Sequence, residues 1–234
     1  MVDISVIITG HREGIIAGAT VRSALAAIAH AQSLLPLEIE IIAVLDRPDD
    51  VTRSILESAL ADKGRSITVN EGDPGQSRNR GVEQARGKYT TFLDADDLWS
   101  FNWLAEAWRF SEANPGIIVH STMNIVFGHE RLIWWHVDSQ SPLFDKDYLE
   151  ISNYWDAMSF APTEIYRTYP FKANNIPLGF AHEDWHWNAV TFAAGIPHRP
   201  APDTVHFKRR RAGSQMAVVA RTDALAWPLN LRRS

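Results

Sequence analysis

Three carboxylates stand within four residues, Asp94, Asp96 and Asp97, directly after the apolar run Tyr89–Leu93. Carboxylates this close repel one another, so the cluster is costly unless water or a cation neutralises it. Magnesium and manganese take oxygen ligands, commonly one or two carboxylates together with substrate phosphates. A divalent ion here could clamp a diphosphate and stabilise its charge as it leaves. Asp94 and Asp96, two apart at a strand end, could reach one such site together. The competing account is a solvated turn in which Asp97 caps the next helix, and an isolated Asp-x-Asp favours that account because Asp is common in turns. The chain has no cysteine, so disulfides and thiolate sites are excluded and any metal must be held by oxygen or imidazole. Two other charged groups need a local explanation, the pair Glu183-Asp184 and the basic run Lys208–Arg211. The nine tryptophans, all after Asp97, read first as core packing and second as a platform on which sugar rings stack.

The elements that must position these groups fall into two patterns. Residues 1–98 alternate strand and helix: strands over Ile4–Thr9, Glu38–Leu45, Ser66–Val69 and Tyr89–Leu93, helices over Ala19–His30, Val51–Ala61 and Ser77–Ala85. Such alternation predicts βαβ units and a parallel sheet. Ligands bind such sheets beyond the carboxyl ends of the strands, where Thr9-Gly10-His11, Asp46-Arg47 and Asp94–Asp97 would converge. From Asn102 the pattern changes to a helix over Asn102–Asn114, strands over Ile117–His120, Met123–Phe127 and Arg131–Val137, and helices around Glu164–Tyr169 and Trp185–Ala194. The tail beyond Pro200 is rich in arginine and poorly periodic.

In that setting, Gly75-Gln-Ser-Arg-Asn-Arg-Gly-Val-Glu-Gln-Ala-Arg-Gly-Lys-Tyr-Thr-Thr-Phe-Leu-Asp-Ala-Asp-Asp-Leu-Trp99 closely resembles the signature of GT-A-type family 2 glycosyltransferases. Their pattern places a Gly-x-Ser/Ala-x-Arg-Asn-x-Gly helix before a Gly-x-Tyr-x-x-Phe-Leu-Asp-x-Asp-Asp strand. The resemblance is clear over residues 3–99 and continues more weakly to about 215. It implies an α/β GT-A fold, with a Rossmann-like, mostly parallel central sheet and flanking helices. Residues 1–98 would form the nucleotide-sugar-binding half and 99–234 a smaller, mixed acceptor-binding half of one continuous domain. The implied reaction moves a sugar from a nucleotide-diphosphate donor (a UDP- or other NDP-sugar) to an acceptor hydroxyl with inversion, using Mn2+ or Mg2+. A saccharide or lipid-linked saccharide is the implied acceptor.

Residue by residue, the resemblance places Thr9 and His11 near the nucleotide base. Asp46 matches the position that usually bonds that base, but the second strand ends Asp46-Arg-Pro-Asp-Asp50, where relatives carry Asp-Asp-x-Ser-x-Asp. Arg78 and Asn79 match the Arg-Asn of the helix, and the arginine fork suits a base carbonyl or phosphate. Asp96 binds the metal, and Asp94 shares metal and donor duties. Glu183-Asp184 matches the family's acidic pair: Asp184 is implied as the general base for the acceptor hydroxyl, with Glu183 orienting or binding the acceptor. Helix capping is the plainer account of the pair. His206–Gln215 resembles the segment that folds over the diphosphate, where Lys208–Arg211, including Arg210, would offset phosphate charge. His206 would complete the metal shell. Gly75 and Gly81 would allow close backbone approach and helix packing.

The chain has 234 residues, 45% of them hydrophobic and 22% charged, as in an ordinary globular protein with a sizeable core. Its net charge of -5 makes no general electrostatic case for nucleic acid. No basic segment followed by an apolar one precedes Ile4, and no apolar stretch approaches the ~20 residues of a membrane helix. A cytoplasmic protein is expected, with peripheral association at the inner face of a membrane compatible. Two other classes fit part of the pattern. A nucleotidyltransferase would use the same half-sheet and metal without Asp184, and a sugar- or nucleotide-binding module would have lost catalysis.

Overall fold

The computed structural model describes residues 1–211 and 224–228. Ser214 and Gln215 of the tail pattern, and 229–234, lie outside the described residues. Nine strands form one sheet in the order β3-β2-β1-β4-β8-β6-β9-β5, with β7 paired to β6. The first half is as expected: β1 (Ile4–Gly10), α1 (Ala17–Leu34), β2 (Ile39–Asp46), α2 (Asp50–Leu60), β3 (Arg65–Val69), α3 (Pro74–Gln84) and β4 (Tyr89–Asp94). β1 runs parallel to β2 and β4, and β2 parallel to β3. The register sets Thr9 beside Asp94 and Gly10 beside Leu45, so the polar ends of β1, β2 and β4 meet at one edge.

Alternation along these strands divides the core. Ile4, Val6, Ile8, Ile41, Ala43, Leu45 and Leu93 face α1 and α4 (Trp103–Ala113). Ile7, Ile42, Val44 and Phe92 face the other way, onto Val82 of α3, Tyr166 of α5 (Thr163–Thr168), Phe171, and Trp187 of α6 (Glu183–Ala193). Strands buried on both faces read as continuous apolar runs, which is why the sequence exposes them so plainly. α3 starts where Asp73 accepts the amide of Gln76 and Pro74 takes the first turn. Its Gly81 lies against the sheet: a Cβ there would stand 2.6 Å from Ile7 Cγ2.

The second half departs from expectation at three places. The two strands expected over Ile117–Phe127 are one strand, β6 (Ile118–Gly128), with an irregularity between Ser121 and Met123 that breaks the alternation. The poorly periodic tail begins with a long strand, β9 (His198–Arg210), parallel to β6. Its inward residues include Thr204, His206 and Lys208, so no hydrophobic alternation marks it. Two short strands, β5 (Leu98–Trp99) on β9 and β8 (Phe160–Pro162) on β4, join the halves into one sheet, and β7 (Leu132–Trp135) closes a hairpin on β6.

The expectation about apolar stretches also changes. Gly14–Leu34 spans 21 residues with mean hydropathy 1.3, long and apolar enough to cross a membrane by length and composition. In the fold this segment contains α1, which buries Ala17, Val21, Ala24, Ala27 and Ala31 against the sheet.

Candidate active site

A cavity of about 590 Å³ opens at the carboxyl ends of β1, β2 and β4. Of the residues singled out in the sequence, it brings together Thr9, His11, Asp46, Arg78, Asp94, Asp96, Glu183, Asp184 and Arg210. The acidic turn supplies one wall. Asp94 ends β4 with its carboxylate fully engaged: Arg78 donates to Oδ1 at 2.8 Å and Oδ2 at 3.1 Å, and the Thr9 hydroxyl donates to Oδ1 at 2.8 Å. Burial opposes its ionisation, but Arg78 and then Lys208 outweigh burial and hold the carboxyl below its ordinary range. Asp97 is turned inward. It accepts the amide of Arg209 at 2.6 Å and pairs with Lys208 at 3.4 Å, which pins β9 to the turn.

Asp96 differs from both. Its side chain is 16% exposed and faces Arg211 Nε at 3.6 Å. Burial, then the nearby Asp94 and Glu13, push its carboxyl up to about 6. Among the described residues no group of three or more His, Asp or Glu is arranged to hold a metal ion. The donor set therefore fits a divalent ion that takes Asp96, with Asp94 beside it, and completes its shell with phosphate oxygens. It does not fit a cage made by the protein.

Four expectations gain detail. Asp94 accepts from Arg78 and Thr9, yet its side chain stays 27% exposed and an oxygen with one donor keeps a lone pair, so Asp94 and Asp96 stand together as candidate metal ligands. Asp46 borders the cavity, but its oxygens accept the amides of Glu71 (2.9 Å) and Gly72 (2.7 Å) and the hydroxyl of Ser77 (3.0 Å). It holds the turn leading into α3 instead of offering a carboxylate to a base. Arg78 is 3% exposed and clasped between Asp94 and Glu183 through Nη2 and Nη1, while its Nε has no partner among the described residues. His206 lies in the core, its ring 4.4 Å from that of Trp103, and burial pushes it down to about 3. It does not line the cavity; Lys208, two residues on along the same strand face, does.

The base wall is built by α6 and the loop before it. His182, with φ +63, is a non-glycine residue in the left-handed region immediately before Glu183-Asp184. Glu183 is held from two sides, by Arg78 Nη1 at 3.0 Å and Asn174 Nδ2 at 3.0 Å. Asp184 accepts the amide of Trp185 at 2.8 Å. Burial, then Glu183, push its carboxyl up to about 6, so it changes charge just below neutrality. Ala224–Trp227 docks beside this loop: the Ala181 amide donates to Leu225 O at 2.9 Å, and Trp227 stacks on Phe180 at 4.2 Å.

Several lining residues escaped sequence reasoning. Glu13 accepts the His11 amide at 2.6 Å and pairs with Arg211 at 3.5 Å. Asp156 pairs with Lys208 at 3.3 Å, and Lys208 holds its carboxyl far below the usual range against the cost of burial. No local pattern marks Asp156, because its partner stands on a different strand. Of the tryptophans read from the sequence as core or sugar platform, Trp134 of β7 and Trp185 of α6 form part of the wall, and Trp185 is fixed by donating Nε1 to Leu149 O at 2.7 Å.

These features have counterparts in known proteins. Over 144 residues the chain is 28% identical to poly(ribitol-phosphate) beta-N-acetylglucosaminyltransferase TarS of Staphylococcus aureus, covering 59% of this chain and 24% of TarS. It is 32% identical over 91 residues to poly(ribitol-phosphate) beta-glucosyltransferase of Bacillus spizizenii, covering 37% of this chain and 14% of that protein. The chain thus spans about a quarter or less of the length of these relatives. Among solved structures, S. aureus TarS 1-349 in complex with UDP-GlcNAc superposes with a TM-score of 0.69 at 18% identity, over 92% of this chain and 60% of that one. A mannosyltransferase from Pyrobaculum calidifontis in complex with GDP-Man and Mn2+ gives 0.64 at 15% identity, over 92% and 59%. These likenesses show the GT-A fold. The family model described as glycosyl transferase family 2 matches residues 5–173, well over half of the chain, and the chain belongs to that family.

Proposed function

We propose that the chain transfers a sugar from a nucleotide-diphosphate donor to an acceptor hydroxyl by a single displacement with inversion. The observation that carries this reading is that the half-buried Asp184 carboxylate shares one cavity with the acidic turn and with Lys208–Arg211. Residues 1–98 form the donor half and the remainder the acceptor half of one domain. The relatives' complexes with UDP-GlcNAc, and with GDP-Man and Mn2+, support a nucleotide-sugar donor and a divalent ion here. Thr9 and His11 border the nucleoside end, and Arg210 and Arg211 meet the diphosphate. A bound Mn2+ or Mg2+ would supply charge neutralisation to the leaving diphosphate, with Asp96 as its protein ligand and Asp94 assisting. Asp184 takes the proton of the acceptor hydroxyl as that oxygen bonds to the anomeric carbon and the carbon–phosphate oxygen bond breaks. Trp134 and Trp185 offer ring faces to a saccharide acceptor.

The nucleotidyltransferase reading has no use for Asp184, and the placement of that residue in the cavity disfavours it. The deciding experiment is a panel of nucleotide sugars, UDP-GlcNAc among them, read by thermal shift and donor hydrolysis, with NMR of the transferred sugar's anomeric proton. Inversion is expected; retention would refute the single displacement.

A further inference from the structure

We propose that Arg78 is a positioning residue of the reaction, a side chain that ties the donor-side turn to the base-bearing loop and holds Asp184 ready to accept a proton. The proposal rests on the reading of Asp184 as base. Arg78 projects from α3, and its guanidinium reaches in two directions. Nη2 donates to both oxygens of Asp94 at the end of β4, and Nη1 donates to Oε1 of Glu183 at the start of α6. Asp94 and Glu183 are 89 residues apart in the chain, and Arg78 bonds to both. A planar fork with several fixed donors can satisfy two carboxylates at once, whereas a lysine offers one point charge. The Phe171 ring lies 5.7 Å from the guanidinium carbon, and Gly75, one turn ahead on α3, leaves the space that Glu183 fills: a Cβ there would stand 2.9 Å from Glu183 Cγ.

The charges around Asp184 come from three elements. Glu183, its neighbour on α6, repels its ionised form; Lys208 on β9 and Arg78 on α3 favour that form. Arg78 acts twice, attracting Asp184 directly and offsetting Glu183. A pair that only held the fold together would not need the fork, so a lysine in place of Arg78 would restore turnover along with the midpoint.

The test compares Arg78→Met, Arg78→Lys and a control, Arg80→Met, whose arginine pairs with Glu71 and Glu83 at the surface outside the cavity. Folding is checked by circular dichroism and thermal unfolding. The Asp184 carboxylate is followed by carbon-13 NMR titration, assigned by its loss in Asp184→Asn. Arg78→Met is expected to raise its midpoint by about one unit, with the acid limb of kcat/KM moving by the same amount. Arg78→Lys is expected to restore the midpoint but to leave kcat reduced, on the order of tenfold or more, because one ammonium cannot span both carboxylates. Arg80→Met should change neither. If Arg78→Met does not fold, Glu183→Gln gives the opposite sign, a lowered Asp184 midpoint. A midpoint unmoved in folded Arg78→Met, or unmoved in Glu183→Gln, overturns the proposal. Transfer that survives Asp184→Asn sinks the base assignment instead, and the two failures are separable because the titration needs no turnover.

Discussion

At the scale of single residues, the acidic turn carries three identical side chains with three different fates. Asp94 is bonded by Arg78 and Thr9 yet stays 27% exposed, Asp97 is folded inward onto β9, and Asp96 keeps an outward face with a raised proton affinity. Sequence reasoning reached the division between Asp96 and Asp97 but assigned Asp46, Arg78 and His206 to ligands. All three are explained by partners brought from far along the chain, such as Glu183 for Arg78 and Trp103 for His206, which no local pattern displays. Asp184 yields a direct prediction. Asp184→Asn should keep donor binding by calorimetry and lose turnover by about 10²–10⁴-fold, the usual worth of a positioned base. Because the base must be ionised and its carboxyl sits at about 6, activity should fall as pH drops through about 6 and level off above it. A pH profile flat down to 5 would contradict this.

At the scale of elements, the helices and strands of the first half were legible because each buries a regular apolar face. β9 was not, because its inward positions hold Thr204, His206 and Lys208 in place of aliphatic residues. β6 was read as two strands because the irregularity at Ser121–Met123 interrupts its period. The packing of α3 onto β1 and β2 offers a test at this level. Gly81→Ala would place a methyl group 2.6 Å from Ile7 Cγ2 and 3.1 Å from Val44 Cγ2. Overpacking of this kind costs about 1–3 kcal/mol. The thermal midpoint should fall accordingly, and since α3 carries Arg78, donor affinity should weaken with it. An unchanged midpoint would mean the helix can lift without loss.

At the scale of the whole molecule, one sheet joins donor and acceptor sides through β8, β6, β9 and β5, so the cavity walls are continuous with the core. The GT-A family was legible in Gly75–Trp99 because that segment supplies both a helix and the acidic turn at one sheet edge. Two carboxylates of the turn, Asp94 and Asp96, would leave a divalent ion short of ligands unless a diphosphate completes its shell. UDP binding should therefore require Mn2+ or Mg2+ and weaken as pH falls below about 6, where Asp96 takes up a proton. Equal calorimetric affinity for UDP in excess chelator would remove the ion from the scheme.

The pinning of β9 to the acidic turn also bears on biosynthesis. Asp94, Asp96 and Asp97 leave the ribosome about a hundred residues before Lys208 and Arg211, the cations that face Asp97 and Asp96. Through that interval Asp96 and Asp97 lack the cations that face them, although Asp94 already has Arg78, and β5 lacks β9, with which it pairs. The pocket is thus completed only when β9 arrives. A chain stopped at residue 197 is expected to show no thermal shift with UDP and Mn2+, and a shift equal to that of the full chain would show that the early half binds alone.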